Sequence, residues 1–534
     1  MNKYAGCISG FTHKRFPFRT LIIAIITLCL LIICCKDKPR LILPEGSVAG
    51  TITLTPCVFE TRSGRYNADC GNLIVQESEH KIDSRLIALP VIRVHATDGE
   101  SAEPIFYLAG GPGQSNMDFK PPDELLVNHD FVLVGYRGVD GSVKLDCPEV
   151  NRAIKGVGGD LLSAPSLSGL STAFRQCADR IKAEGIDLNA YTMIDVIRDL
   201  EAARNKLEYD RINLLSQSYG TRIAQIYAYQ HPDIIHRSVM IGVNPPGRFV
   251  WEPDTIDRQI EYYGLLCAHD SACNSQTSDL IRTLRNVIRK MPRRWYIFPI
   301  DKGKVKVITF ALLYHRNTAA MVFDTYFAAE KGDPSGLALM TLAYNFMFPS
   351  MITWGDLAAK ALSADFDSTR NYATEMDPPN SIIGSPFSKL LWSLGDWPTA
   401  PIPEEYRKTQ YSNVETLMVS GSIDFSTPAV FAAKELLPKL PNGKQIILAE
   451  MGHTGDLWKV QPAATIHMLK SFYDTGIADN SLYTYAPMEF GVTWGFPKIA
   501  KIAVGSLILI ILGLSWLIWF IIRRIRRRLH HFIP

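Results

Sequence analysis

Arg211 to Arg222 reads RINLLSQSYGTR, a short apolar run that breaks into Ser-Gln-Ser-Tyr-Gly and then into a helix-like pattern. The break is that of a strand turning sharply into a helix, and it centres on Ser218. A serine hydroxyl is a weak nucleophile. Chemistry at serine therefore calls for such a turn, which exposes the hydroxyl to a base and sets it beside backbone N–H donors. Small neighbours make the turn feasible: Gly220 fills the second small position around the serine, and Ser216 stands where a glycine is usual for the first. An ordinary strand-turn-helix fits these few residues equally well, so the rest of the chain must supply partners.

Two further strand ends do so. Thr416 to Gly421 (TLMVSG) is a strand-like run that delivers Ser422, Ile423 and Asp424 into a loop closed by Pro428. Gln445 to Ala449 (QIILA) is another, followed by Glu450, Met451, Gly452 and His453. His453 is the candidate general base for Ser218, and Asp424 the acid that fixes its tautomer and stabilises the imidazolium. Taken singly, Asp424 reads as a turn acid and His453 as one loop histidine among twelve. Three strand-end residues of the right types in one order favour the joint reading. A fourth element lies upstream: Ile105 to Ser115, IFYLAGGPGQS, is an apolar strand running into Gly110, Gly111, Pro112 and Gly113. Glycines let backbone N–H groups approach a developing oxyanion, so Gly110 or Gly111 is expected to give one donor and the Tyr219 backbone N–H the other.

With these residues in place, the chain resembles the proline iminopeptidase and tripeptidyl aminopeptidase (TAP-like) serine peptidases among the α/β hydrolases, whose triad runs Ser, Asp, His along the sequence. The resemblance rests on Ala109-Gly110-Gly111-Pro112-Gly113, on Gly135 to Ser142 (GYRGVDGS), on Ser216 to Thr221 followed by His231-Pro232, and on Gly421 to Pro428 (GSIDFSTP). It departs from the family pattern where Ala109 replaces His, Gly135-Tyr136 replace Asp-Gln, Asp140 replaces a glycine and Ser216 replaces a glycine. The resemblance implies an aminopeptidase that acts through an acyl-enzyme on peptides with a free amino terminus, using no cofactor and no metal. A carboxylic ester hydrolase with the same triad, or an inactive hydrolase fold that only binds, are the alternatives. Glu252, Glu261 and Asp356 are carboxylates available to pair with a substrate ammonium.

Composition sets the frame. The chain has 534 residues, 47% of them hydrophobic, enough for a large α/β core and one inserted domain. A net charge of +3 argues against a nucleic-acid partner, the more so because much of the positive charge sits in Arg523, Arg524, Arg526, Arg527 and Arg528. These follow an apolar stretch from Ile502 to Ile522 that is long enough to span a bilayer, and the positive-inside rule puts the arginines in the cytoplasm. At the other end, Lys3, Lys14, Arg15 and Arg19 precede the apolar run Leu21 to Cys35. That run reads as an uncleaved signal anchor, with a cleaved signal peptide or a lipoprotein signal at Cys34 or Cys35 as alternatives. Six of the ten cysteines fall in close sequence pairs, Cys57 with Cys70, Cys147 with Cys177 and Cys267 with Cys273, which predicts three disulfides.

The expected organisation is an α/β-hydrolase fold, a mostly parallel sheet with helices on both faces, carrying an inserted, mainly helical lid and terminal membrane helices. Its parts are an anchor over 1–40, core over 41–245, lid over 246–400, core over 401–490, a transmembrane helix over 499–522 and a basic cytoplasmic tail over 523–534. Aromatic residues crowd the lid: Trp295, Tyr296, Phe298, Tyr326, Phe327, Tyr344, Phe346 and Phe348. The predicted partners are a peptide substrate and the lipid bilayer, with the catalytic domain outside the cytoplasm, on the periplasmic side of a bacterial inner membrane.

Overall fold

In the computed structural model, residues 41–98, 102–156, 159–393, 395 and 397–529 are described. The anchor expected over 1–40, with Cys7, Cys29, Cys34 and Cys35, lies outside them. In chain order the main strands are β1 (Ile52–Glu60), β2 (Arg65–Gln76), β3 (Leu86–Val94), β4 (Ala102–Leu108), β5 (His129–Val134), β6 (Ile212–Gln217), β7 (Ile235–Ile241), β8 (Glu415–Gly421) and β9 (Gly443–Leu448). They form one nine-stranded sheet in the order β1-β2-β3-β5-β4-β6-β7-β8-β9. β1, β2, β3 and β5 pair antiparallel. From β5 through β4, β6, β7 and β8 to β9 every pairing is parallel.

The burial of the strands follows from this layout. β6 is buried at every residue, as a central parallel strand covered on both faces must be: Ile212, Leu214 and Leu215 supply its apolar surface, while Asn213 and Ser216 are buried with hydrogen bonds to the Glu103 and Val239 carbonyls. β1 alternates between part-buried and exposed positions over most of its length, as an edge strand with one wet face does. The helix Met193–Lys206 packs Val196, Leu200 and Ala203 inward, and Leu207 just past its end is buried too. At its start the Asp195 carboxylate accepts from the Thr192 backbone N–H (2.9 Å) and hydroxyl (2.6 Å). The next helix, Tyr219–Gln230, buries Ile223, Ala224, Ile226 and Tyr227. Each such isoleucine contributes about 1.5–3 kcal/mol of burial.

Between β7 and β8 the chain is helical: Pro253–His269, Leu280–Arg289, Lys302–Leu312, Arg316–Glu330, Ser335–Met347, Trp354–Asp365 and Pro386–Trp392 are the longer helices, with one small hairpin, Arg294–Trp295 paired to Phe298–Pro299. The aromatic residues of this insert divide by environment. Tyr326, Phe327, Tyr344 and Phe348 are buried, whereas Tyr296 and Phe346 are exposed. The structure brings all three cysteine pairs to bonding distance, S–S 1.99 Å for Cys57–Cys70, 1.96 Å for Cys147–Cys177 and 1.99 Å for Cys267–Cys273.

A helix from Phe496 to Leu529 follows, beginning three residues before the span read from the sequence. Its first 30 residues, Phe496–Ile525, are long and apolar enough to cross a membrane. The start of this helix is fastened to the insert: Ser335 Oγ donates to the Pro497 carbonyl (3.3 Å) and Lys501 Nζ pairs with Asp333 (2.8 Å).

Candidate active site

Ser218 follows β6 directly and precedes the helix Tyr219–Gln230, with φ +52° and ψ −119°. A non-glycine residue in that region is strained by about 1–3 kcal/mol, and such strain persists only where the surroundings impose it. Here its backbone N–H is held by the Ile241 carbonyl at 2.9 Å, and the helix behind it is drawn close to β4. A Cβ on Gly220 would come within 2.2 Å of the Leu108 carbonyl oxygen, so only glycine fits at that crossing. Ser216, where a glycine is usual, is fully buried and donates from Oγ to the Val239 carbonyl of β7 (2.9 Å). The substituted position is therefore a satisfied small residue within the sheet.

His453 and Asp424 meet in the loops beyond β9 and β8. His453 Nδ1 lies 2.8 Å from Asp424 Oδ2 and 3.0 Å from Oδ1. The same carboxylate accepts from the backbone N–H groups of Ser426 (2.9 Å) and Thr427 (2.8 Å) and from the Thr427 hydroxyl (2.7 Å). His453 is held from its backbone as well, its N–H donating to the Tyr314 carbonyl of the insert at 2.6 Å. With Nδ1 committed to the acid, Nε2 is the nitrogen left for chemistry. Ser218 and His453 line one cavity of about 520 Å³, together with Gly110, Gly111 and a wall of insert aromatics that includes Trp251, Phe310 and Phe387. A larger cleft of about 1060 Å³ between Arg285 and Lys389 holds neither of them.

The glycine loop passes close to the serine: a Cβ on Gly110 would lie 3.2 Å from Ser218 Cβ. Gly111 has φ +126°. Tyr219 opens its helix, so its N–H has no partner one turn back and belongs to the group of unsatisfied first-turn donors. The departures from the family pattern interlock here. Asp140 Oδ2 accepts from the backbone N–H groups of Tyr136 and Asn116, both at 2.9 Å. The Tyr136 hydroxyl donates to the Ala109 carbonyl at 3.2 Å. Asn116 accepts from the Ala109 N–H (2.7 Å) and donates to the Tyr107 and Val134 carbonyls (3.0 and 2.8 Å). Asn116 and Thr427 were not singled out by the sequence, because their roles depend on tertiary neighbours; an Asn just past a glycine loop was the only available signal.

The three acids considered for a substrate ammonium are all placed elsewhere, which corrects that expectation. Glu252 is paired with Arg370 at 2.7 Å. Glu261 is exposed and lines a different cleft. Asp356 is completely buried against Lys360, and its Oδ2 accepts from the Gly113 N–H at 3.0 Å. Burial pushes the Asp356 carboxyl above its ordinary range despite the Lys360 ammonium beside it. It thus helps to shape the glycine loop. Among the described residues lining the cavity that holds Ser218 and His453, the carboxylate is that of Asp118.

Residues 103–264 match the family model described as alpha/beta hydrolase fold. The fold is that of the α/β hydrolases. A tripeptidyl aminopeptidase of Streptomyces lividans is 28% identical over 212 residues, covering 36% of this chain and 39% of that protein. Serine protease Hip1 of Mycobacterium tuberculosis (strain ATCC 25618 / H37Rv) is 26% identical over 219 residues, covering 38% of this chain and 41% of that protein. The chain thus spans about two fifths of the length of these curated relatives. A thermophilic esterase from Thermogutta terrifontis, solved with malate bound, is similar with a TM-score of 0.35 at 12% identity, over 76% of this chain and 98% of that one.

Proposed function

We propose that this α/β hydrolase is a membrane-anchored serine aminopeptidase, with Ser218 as nucleophile, His453 as base and Asp424 as orienting acid. The observation that carries the reading is the strained Ser218 in one cavity with a histidine whose Nδ1 is held by a four-fold hydrogen-bonded carboxylate. Ser218 Oγ attacks the scissile carbonyl and His453 Nε2 takes its proton. The oxyanion is held by N–H groups of Tyr219 and of Gly110 or Gly111. His453 then returns the proton to the departing amine, leaving an acyl-enzyme that water hydrolyses by the same relay. Asp118 is the cavity carboxylate suited to a substrate ammonium. Names of the relatives support peptide substrates. Three disulfides support an oxidising compartment, and the apolar run followed on the same helix by Arg523 and Arg524 supports an anchor whose basic end faces the cytoplasm.

The test is labelling of the full chain, solubilised in detergent, with a fluorophosphonate. Wild type is expected to label, and Ser218→Ala and His453→Ala are expected to lose labelling while keeping their melting curves. A folded wild type that does not label would sink the hydrolase reading in favour of a binding protein. The aromatic cavity wall favours one second reading, a carboxylic ester hydrolase. Matched aminoacyl amides and p-nitrophenyl esters separate the two, since only a peptidase turns over the amide.

A further inference from the structure

The outer surface of the insert is continuous with that of the C-terminal apolar helix. Trp295, Phe298, Ala338 and Leu342 of the insert enclose an apolar pocket with Ala500, Val504 and Leu507 of the helix. The helix Ser335–Met347 starts at the Ser335–Pro497 contact and runs alongside the first turns of the C-terminal helix. Its far end, Phe346 and Met347, is exposed, and because Ser335 meets Pro497 and Leu342 shares the pocket with Leu507, the helix advances in the same direction as the apolar run.

Against the middle of this helix, at Ala338 to Leu342, the small hairpin packs Trp295 and Phe298 and projects Tyr296 and Ile297, which are 74% and 87% exposed. Tyr296 sits at φ +49°, a costly conformation for a bulky aromatic, and its ring meets that of Trp295 at 5.2 Å while staying largely exposed. Behind the tip stand exposed Lys290, Arg293 and Arg294, and no acidic residue occurs between Leu280 and Ile300. An aromatic and aliphatic tip backed by cations that form no ion pair among the described residues matches the layering of a bilayer surface, acyl chains below and anionic headgroups above.

We propose that Tyr296, Ile297, Phe346 and Met347 seat the insert in the surface of an anionic phospholipid bilayer, with Lys290, Arg293 and Arg294 on the headgroups. The proposal rests on reading residues 502–522 as a membrane span. It has a consequence for the catalytic cavity, because Met351 and Ile352, just beyond Met347, form part of its wall. The seated surface holds that rim of the cavity at the lipid.

The test is photo-crosslinking of the full chain in vesicles of phosphatidylethanolamine and phosphatidylglycerol carrying radiolabelled lipid. The photoreactive residue p-benzoylphenylalanine replaces Ile297, Phe346, Leu517 or Ile82 in turn; Ile82 lies exposed between β2 and β3. Lipid adducts several-fold above the Ile82 level are expected at Ile297, Phe346 and Leu517. Adducts at Leu517 alone would overturn the seating and leave the span intact, while none at Leu517 would remove the span and the seating with it. A protein adduct at Ile297 would replace lipid with a protein partner. The double variant Arg293→Glu, Arg294→Glu is expected to cut the Ile297 adduct several-fold, and an unchanged adduct would overturn the assignment of anionic lipid.

Discussion

The Asp424 carboxylate accepts two backbone N–H groups and a threonine hydroxyl while it holds His453 Nδ1. Its orientation is therefore fixed before any substrate arrives. Asp424→Asn keeps the shape but offers a donor where an acceptor is needed, which turns the histidine to the wrong tautomer. Steady-state kinetics should show kcat lower by about 10⁴ with KM little changed. Asp118→Asn is expected to raise KM about tenfold, worth about 1.4 kcal/mol, for peptides with a free amino terminus. KM for N-acetylated ester substrates should stay the same, and an equal change in both would deny Asp118 the ammonium. At this scale Ser218, Asp424 and His453 were legible because each stands just past a strand in a fixed order. Asn116, Asp140 and Thr427 were not, since a polar loop residue acquires its partners only when distant loops meet. Ser216 shows the converse: its departure from glycine looked like a weakness in sequence and is a hydrogen bond to the neighbouring strand.

The end of β8 lies hard against the loop that carries His453. A Cβ on Gly421 would come 2.0 Å from the Met451 carbonyl oxygen and 2.3 Å from that of Gly452. Gly421→Ala must push that loop away, and a displacement near 1 Å is expected to lower kcat/KM about 10²-fold, with Ser218 still able to react slowly with the fluorophosphonate. In the insert, burial alone would raise the Asp377 carboxyl, but Lys306 at 2.9 Å and Lys389 at 3.1 Å outweigh it and hold it below its ordinary value. A carboxyl lowered in the folded state stabilises above the unfolded-chain value near 3.8 and loses that contribution as pH falls through the lower folded value. The melting-temperature gap between wild type and Asp377→Asn should accordingly be constant from pH 7 to about 5 and close below about pH 4. The buried parallel strands and the elbow helix could be read from apolar runs. β1 to β3 could not, because these antiparallel strands carry Pro56, Gly71 and Pro90 and β1 leaves one face wet, which breaks the patterns that mark buried strands.

Over the whole molecule, the C-terminal helix meets the insert through the Ser335–Pro497 hydrogen bond, the Lys501–Asp333 ion pair and an apolar pocket that reaches Leu507. A chain ended after Ile508 keeps them. It is expected to fold, to hydrolyse soluble peptides with unchanged kcat and, through the signal anchor read over residues 1–40, to stay in the membrane fraction, which cell fractionation and kinetics together would check. Inactivity of the shortened chain would mean that the distal helix supports the catalytic domain as well as anchoring it. Sequence marked this helix as a span from its length and apolarity. It gave no hint of the docking, because Asp333 and Lys501, or Ser335 and Pro497, are joined only by the fold.

The ion pair of Lys501 with Asp333 and the hydrogen bond from Ser335 to Pro497 tie the insert directly to the start of the C-terminal apolar helix. With residues 502–522 in lipid and Ser218 as the proposed nucleophile, that serine stands at a set height and sweeps a plane, not a sphere. What it meets is then counted per area of membrane instead of per volume of solution. Chains whose ends trail near the lipid come within its stroke, and those that hold their ends further out pass untouched, so that distance from the surface selects among peptides alike in sequence.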